Sequence, residues 1–423
     1  MPTEDRRRAG FKQRTRLAAA REQLLSAITP HDRTERLRLS LADGRVVATK
    51  LTAPNPVPNY ERAAMDGYAV QASDTVGASD RSPVVLDTLD GEADCRPGGA
   101  VPVHTGSEIP KGADAVVKIE ATETIGSEIE VFTTLAEGSN IGPVGEDVNE
   151  GQSLYEPGHR LRPSDLSLLK SVGHYEVETY QQPTVGVVPT GEELVERDPE
   201  PGEIIETNGL TGSQLVDRWG GVATYRNTVT DDEAALRAAI QRDLTKDVIV
   251  TTGGSSVGER DLLPEVVAEL GEVLVHGVAI KPGYPVALGV VQETPVLMLP
   301  GNPVACIVTA MQFLRPALKR AGHMPVEPVA TQSATLERKL PSEPGTQTFA
   351  RVETSEGDGD SKNDAAVSDD GDDTDLTATP VHTGGAGILS SVALADGWVV
   401  VPEEREGYSA GERVEVEYWE ALP

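Results

Sequence analysis

Between residues 183 and 322 short apolar runs alternate with amphipathic helical segments, and this alternation constrains the fold more than any other feature of the chain. PTVGVVP, DVIVTT, EVLVHGVAI, YPVALGVV and TPVLML read as strands, while SQLVDRWGG, DDEAALRAAIQRDL and the long NPVACIVTAMQFLRPALKRAG read as helices. Strands this uniformly apolar must be covered on both faces, which predicts a βαβ domain with a mostly parallel sheet. Ligands in such sheets sit beyond the carboxyl ends of the strands.

The flanks follow another grammar. Residues 80–150 and 325–423 are short strands punctuated by turns, in a chain carrying 42 Gly and 30 Pro. A length of 423 residues exceeds one ordinary core, so two to four units are expected. Leu17, Leu24, Leu25 and Ile28 mark a helix face ending before Pro30, LRLSLADGRVVATKL alternates like strand around an Asp43–Gly44 turn, and Pro163-Ser164-Asp165 opens a short helix ending at Gly173. The expected class is α/β plus β, multidomain. Residues 353–375 hold ten acids against one lysine and almost nothing apolar, and read as a disordered, solvated loop. A calcium loop is the sharper alternative, but the acids lack regular ligand spacing.

Asp and Glu number 68 against 37 Lys and Arg, a net charge of −31 that disfavours nucleic-acid and anionic-lipid partners. The cations are 27 Arg and only 10 Lys, which points to a high-salt cytosol; an acidic mesophilic protein is the plainer alternative. Cys95 and Cys306 are too few for a disulfide framework or a zinc site. Arg6, Arg7 and Arg8 are followed by charged rather than apolar sequence, and no apolar run approaches a membrane span, so a cytoplasmic location is expected.

Chemistry concentrates in turns. TTGGSSVGERD (251–261) follows a strand directly, and its glycines Gly253, Gly254 and Gly258, with Ser255 and Ser256, suit close approach of backbone N–H groups to an anion. KPGYP (281–285) and LPGNP (299–303) add rigid turns and one cation, Lys281. Carboxylates recur at turns as Asp66, Asp147, Glu193, Asp231 and Asp261, and acids converging beside a phosphate loop would hold Mg²⁺. Each has a structural alternative: Asp231 as N-cap of the helix EAALRAAI with Thr230 and Glu233, Asp147 as a turn residue, Asp66 as an Asx-turn before Gly67.

RAAMDGYAV (62–70), HTGSEIPKGADAVV (104–117), GEDV (145–148), PTGEEL (189–194), TTGGSSVGERD, AIKPG (279–283), LPGNPV (299–304) and GILSSVALADGWVVVPE (387–403) together resemble the molybdopterin molybdotransferase family, that is MoeA and the gephyrin E domain. The resemblance spans nearly the whole chain in order. It implies an elongated homodimer whose protomer has four domains: a discontinuous linker and dimerisation domain (12–50 and 149–178), a β-rich domain carrying MDGYAV (51–148), an α/β molybdopterin-binding domain (180–323) and a C-terminal β domain (324–423). The implied reaction inserts molybdate, or tungstate, into adenylated molybdopterin with release of AMP and with Mg²⁺ assisting; a molybdopterin adenylyltransferase would be a separate partner. Carried over by position, the family's functional residues fall on Asp66, Thr105, Asp147, Glu193, Asp231, Asp261, Lys281, Pro300, Pro303, Arg351 and Ser391, with Gly301 and Asn302 inside the cofactor-binding turn and Glu193, Asp231 and Asp261 as metal ligands.

Four cations of the family pattern are missing, at Gly142, Val144, Gly277 and Tyr284. Either Arg260, Arg162 or potassium supplies the charge, or the chain is a divergent paralogue with another oxyanion. Two readings compete from outside: a nucleotide-processing enzyme sharing only the α/β module, and a molybdopterin-binding or peptide scaffold without catalysis.

Overall fold

The computed structural model describes residues 14–253, 262–356, 376–381 and 388–421. The described chain divides into two compact units, one drawn from residues up to 35, 44–46 and 180 onward, the other from 36–43 and 47–179.

In the first unit a six-stranded sheet contains β1 (Thr184–Pro189), β2 (Val222–Tyr225), β3 (Val248–Thr252), β4 (Glu272–His276), β5 (Ala287–Val291) and β6 (Thr294–Leu299), in the order β2-β1-β3-β6-β5-β4. The pairings β2–β1, β1–β3 and β3–β6 are parallel, whereas β6–β5 and β5–β4 are antiparallel. The expected parallel sheet is thus completed by an antiparallel edge, because a short connection joins β5 to β6 and leaves no room for a crossover helix. Helices α1 (Asn208–Arg218), α2 (Glu233–Arg242) and α3 (Leu263–Leu270) connect the strands. The predicted long C-terminal helix is α4 (Pro303–Thr309) and α5 (Arg315–Ala321) with a π-helical stretch, Ala310–Leu314, between them. The core of β1, β3 and β6 also takes in Leu17, Ala20 and Leu24 of the helix Leu17–Ser26.

Residues Thr331–Leu336, Gln347–Glu356, Leu376–Pro380, Gly397–Val401 and Arg413–Glu417 form a second sheet in this unit. Pairing of Gln347–Glu356 with both Leu376–Pro380 and Gly397–Val401 closes these five strands into a ring, onto which Ile280–Lys281 pairs as a sixth strand. Two boundaries depart from expectation. Residues 353–356 of the acidic stretch belong to the strand Gln347–Glu356, paired with Leu376–Pro380, because its alternating partners offer a ladder before the acids become continuous; residues 357–375 lie outside the described residues. The 37–51 region is strand over Thr34–Arg38 and again at Leu51–Thr52, with a single bridge at Val47 to Thr179 between them, and is broken by the 3₁₀ turn Leu39–Leu41, where Leu39 turns into the core.

The second unit is built on a sheet whose strands follow the order Ala115–Lys118, Gly67–Val70, Gly99–Val103, Val84–Thr88, Glu128–Val131, Thr122–Ile125. The MDGYAV strand is internal, and Gly67 is required there because a Cβ would lie 1.9 Å from the Val117 carbonyl oxygen. A satellite core of Leu39, Val47, Leu51, Leu161, Leu169 and Val177 surrounds the helix Pro163–Ser171, which starts at Pro163 as read from sequence.

Candidate functional site

Three turns meet at the carboxyl ends of the parallel strands. After β1 the chain reverses at Gly191, whose φ of 145° is reserved for glycine; a Cβ there would lie 2.7 Å from Glu193 Oε2, so the Glu193 carboxylate folds back over this glycine. The Gly191 amide donates to the Val229 carbonyl, and Thr190 bridges Val229, which brings the Glu193 turn beside the residues leading to α2. After β3, Gly253 takes φ 123° and packs on Thr190 so closely that a Cβ would lie 1.9 Å from the Thr190 carbonyl oxygen. Its amide donates to Leu299 O at 3.2 Å, and a Cβ on Gly301 would sit 3.4 Å from Gly253 Cα. The motifs PTGEEL and LPGNP and residues 251–253 therefore form one surface, as the parallel-sheet reading requires.

Glu193 and Asp231 come together on that surface. The Asp231 carboxyl is pushed above its ordinary value, first by partial desolvation and then by the negative charges of Glu193 and Glu192. Asp231 is not the cap of α2. That role belongs to Asp232, whose Oδ1 accepts from the Ala235 amide at 2.9 Å, because Asp231 sits one residue too early to reach the third helical N–H. Asp231 instead accepts a backbone hydrogen bond from Glu192, which ties it to the Glu193 turn. Among the described residues no group of three His, Cys, Asp or Glu side chains is arranged to hold a metal ion. Asp261, the third expected ligand, and Gly254, Ser255, Ser256, Gly258 and Arg260 lie outside the described residues.

Lys281 lies in the two-residue strand Ile280–Lys281, paired in parallel with Gln347 and Thr348, and its side chain is exposed. The following turn packs on α4: a Cβ on Gly283 would meet Thr309 Cγ2 at 2.5 Å and Ala305 O at 3.5 Å. Arg351, on the strand Gln347–Glu356, is only 4% exposed; burial holds its guanidinium below the usual value, and its Nε has no hydrogen-bond partner among the described residues. Ser391 is buried, with its hydroxyl donating to Ile388 O at 2.6 Å. Pro300 precedes and Pro303 opens α4, with Asn302 at the N-cap position.

Asp66, Thr105 and Asp147 belong to the second unit. Asp66 Oδ1 accepts from the Thr105 amide at 2.7 Å and from its hydroxyl at 3.0 Å, and these two bonds, ahead of the charge of His104, lower the Asp66 carboxyl below its ordinary value. Two positions carried over separately thus act as one pair. Asp147 donates its amide to Val57 O at 3.0 Å and leaves its side chain exposed.

Three of the four missing cations have local explanations; nothing in the structure explains Val144. Gly277 takes φ 88°, a conformation that strains any side chain, lysine included. Tyr284 brings a cation of its own, with the Arg14 guanidinium 5.0 Å from its ring centroid. Gly142 pairs in register with Arg62, and a Cβ there would meet Glu146 Oε2 at 2.8 Å, inside the Arg62–Glu146 ion pair. Arg162 does not supply the lost charge. It is committed to Asp165, which accepts from its backbone N–H at 2.9 Å and its Nε at 3.1 Å and closes the capping box of the helix Pro163–Ser171.

Comparison with known proteins accounts for this layout. Residues 15–173 match the family description "MoeA N-terminal region (domain I and II)", 186–320 match "Probable molybdopterin binding domain", and 365–419 match "MoeA C-terminal region (domain IV)". A molybdopterin biosynthesis protein of Methanocaldococcus jannaschii is 33% identical over 406 residues, 93% of this chain and 94% of its own length. The molybdopterin molybdenumtransferase of Bacillus subtilis is 35% identical over 241 residues, 53% of this chain and 56% of the relative. Among solved structures, a MoeA molybdopterin biosynthesis protein of Pyrococcus horikoshii superposes with a TM-score of 0.79 at 29% identity, covering 96% of this chain and 100% of its own. Identity of 33% to the archaeal relative over 93% of the chain, three consecutive family matches and the shared fold together show that this chain belongs to the MoeA family of molybdenum cofactor biosynthesis proteins.

Proposed function

We propose that the protein is a transferase that inserts molybdate into adenylated molybdopterin and releases AMP. The observation that carries this reading is the meeting of Glu193 and Asp231 beside the Gly253 and Pro300–Pro303 turns at the carboxyl ends of parallel strands. An acid whose proton affinity is raised by a neighbouring carboxylate, as that of Asp231 is by Glu193, suits a hard divalent cation, and oxygen ligands of this kind suit Mg²⁺. Glu193 and Asp231, with Asp261, would hold it. Mg²⁺ would offset their repulsion and polarise the phosphoanhydride that joins AMP to the pterin phosphate.

The remaining steps fall to the chain's own groups. The turns at Gly253 and at Pro300–Pro303 present backbone without side-chain bulk to the pterin phosphate, Gly301 and Asn302 forming the face of the second turn. Lys281 offers a point charge to an oxyanion and Arg351, on the adjoining β ring, a donor; the Ser391 hydroxyl, whose proton goes to Ile388 O, offers its oxygen. Thr105 and Asp66 act as a pair, the hydroxyl oriented by the carboxylate, with Asp147 a further acceptor in the same unit. A homodimer, an adenylyltransferase that hands over the intermediate and a cytoplasmic setting complete the reading; no helix among the described residues is long and apolar enough to cross a membrane.

The deciding assay incubates the protein with adenylated molybdopterin, Mg²⁺ and either molybdate or tungstate in molar KCl and follows AMP release. Molybdate-dependent release is the expected result. Release with tungstate alone would redefine the oxyanion, and no release with either would overturn the transferase reading. Within that assay, Lys281→Ala should raise the molybdate concentration for half-maximal rate by about tenfold, the value of a charge-assisted contact discounted for exposure. An unchanged molybdate dependence would remove Lys281 from the site.

A further inference from the structure

The segment entering α1, Glu206-Thr207-Asn208-Gly209, has no role in the site as drawn above, yet it is tied to it at several points. Asn208 Nδ2 donates to the Gly301 carbonyl at 2.7 Å, across from the turn that meets Gly253. Behind Asn208, the Glu206 carboxylate is about nine-tenths buried, with a residue exposure of 9%. Its Oε1 accepts from the Gly209 amide at 2.6 Å, and its Oε2 accepts from the Tyr225 hydroxyl. Burial, then the hydrogen bond to Glu206 and after it the Glu206 charge, push the Tyr225 phenol up, so it remains a proton donor throughout the physiological range. Gly209 leaves no slack: a Cβ there would lie 2.5 Å from Tyr225 Cε2 and 2.7 Å from Pro189 Cγ.

We propose that Asn208 is a positioning residue whose side-chain amide holds the 300–303 turn against Gly253, with Glu206 and Tyr225 fixing Asn208 in turn. A helix terminus anchored by a buried carboxylate is a rigid mount, whereas a Pro-Gly-Asn-Pro turn without a lateral tie can only rock about the end of β6. Asn208 supplies that tie, and the consequence for function rests on the molybdopterin-binding reading given above. Through Gly301 the same bond bears on Gly253, which is in contact with Thr190 next to the Glu193 turn. One hydrogen bond therefore adds a lateral tie to three loops already joined by the Gly253–Leu299 bond and the Gly253–Thr190 contact.

The test has two arms so that this inference and the functional reading fail separately. In the protein without ligand, amide hydrogen exchange at Gly253 and Cys306, whose amides bond to Leu299 O and Asn302 O, should quicken by roughly tenfold in Asn208→Ala while amides of β1 and β3 are unchanged. Asn208→Asp, with the same shape but no donor, should behave as the alanine variant does. Titration with adenylated molybdopterin should then show affinity reduced by about three- to tenfold in both variants, with the wild-type melting temperature retained. Wild-type exchange in both variants would overturn the inference. So would wild-type pterin affinity in Asn208→Asp. Altered exchange in a protein whose wild type binds no pterin would sustain the tie and count against the functional reading alone.

Discussion

Asp231→Asn should reduce AMP release by at least about a hundredfold while making the protein slightly more stable. The loss follows if Asp231 is one of the oxygen ligands for Mg²⁺. The gain follows from the direction of its proton affinity. In the folded protein, desolvation and the charges of Glu193 and Glu192 raise the Asp231 carboxyl above its ordinary value of 3.8. The native state therefore binds this proton more tightly than the unfolded chain, and wild-type stability declines as pH rises from 3.8 through the raised folded value. Below that window the carboxyl is protonated in both states and the effect vanishes. The asparagine variant carries no such penalty, so above the window its melting temperature should exceed wild type by roughly a degree or two, a small gain because the group is solvent-accessible. Added Mg²⁺ should stabilise the wild type and not the variant. A variant that keeps its activity, or one that loses stability above the window, would show that Asp231 serves structure rather than chemistry.

Gly253→Ala should be the most damaging single methyl in the described part of the α/β sheet. Its φ of 123° is closed to alanine, and the added Cβ would stand 1.9 Å from the Thr190 carbonyl oxygen, which belongs to backbone and cannot swing away. Relief requires β1 and β3 to separate at their carboxyl ends, at a cost on the order of 2–4 kcal/mol and a melting temperature lower by roughly 5–10 °C. Gly301→Ala is the control. Its Cβ would meet Gly253 Cα at 3.4 Å, an ordinary contact, so it should melt near wild type while pterin affinity falls. Equal melting of Gly253→Ala and wild type in a thermal scan would contradict the close approach described here.

The four-residue difference at the acidic stretch illustrates where sequence reading loses resolution. Composition marks 353–375 as a block, but Glu353 to Glu356 lie in a strand because Thr377 and Ala378 offer a ladder, and no composition window sees a partner more than twenty residues away. The misassigned cap has a similar cause. Asp231 and Asp232 are chemically equivalent in sequence, and only the backbone decides which carboxylate reaches the Ala235 amide. Glu206, Asn208 and Tyr225 were not legible at all, since their bonds join segments far apart in the chain. The one available hint was an Asn-Gly step at a helix start.

What the sequence determined by itself was the identity of the elements and of the motifs: the apolar strands of 183–322, the turns at PTGEE, TTGG and LPGNP, and a family resemblance carried by residue types at fixed spacing. These are local properties, set by periodicity and by the backbone demands of glycine and proline. The tertiary structure decided which of these residues meet. It paired Asp66 with Thr105, set Glu193 against Asp231, and committed Arg162 to a helix cap rather than to an anion. The physical reason is that a hydrogen bond or a charge interaction depends on distances of a few ångströms between groups that the chain separates by tens of residues, and only packing of the sheets and helices fixes those distances.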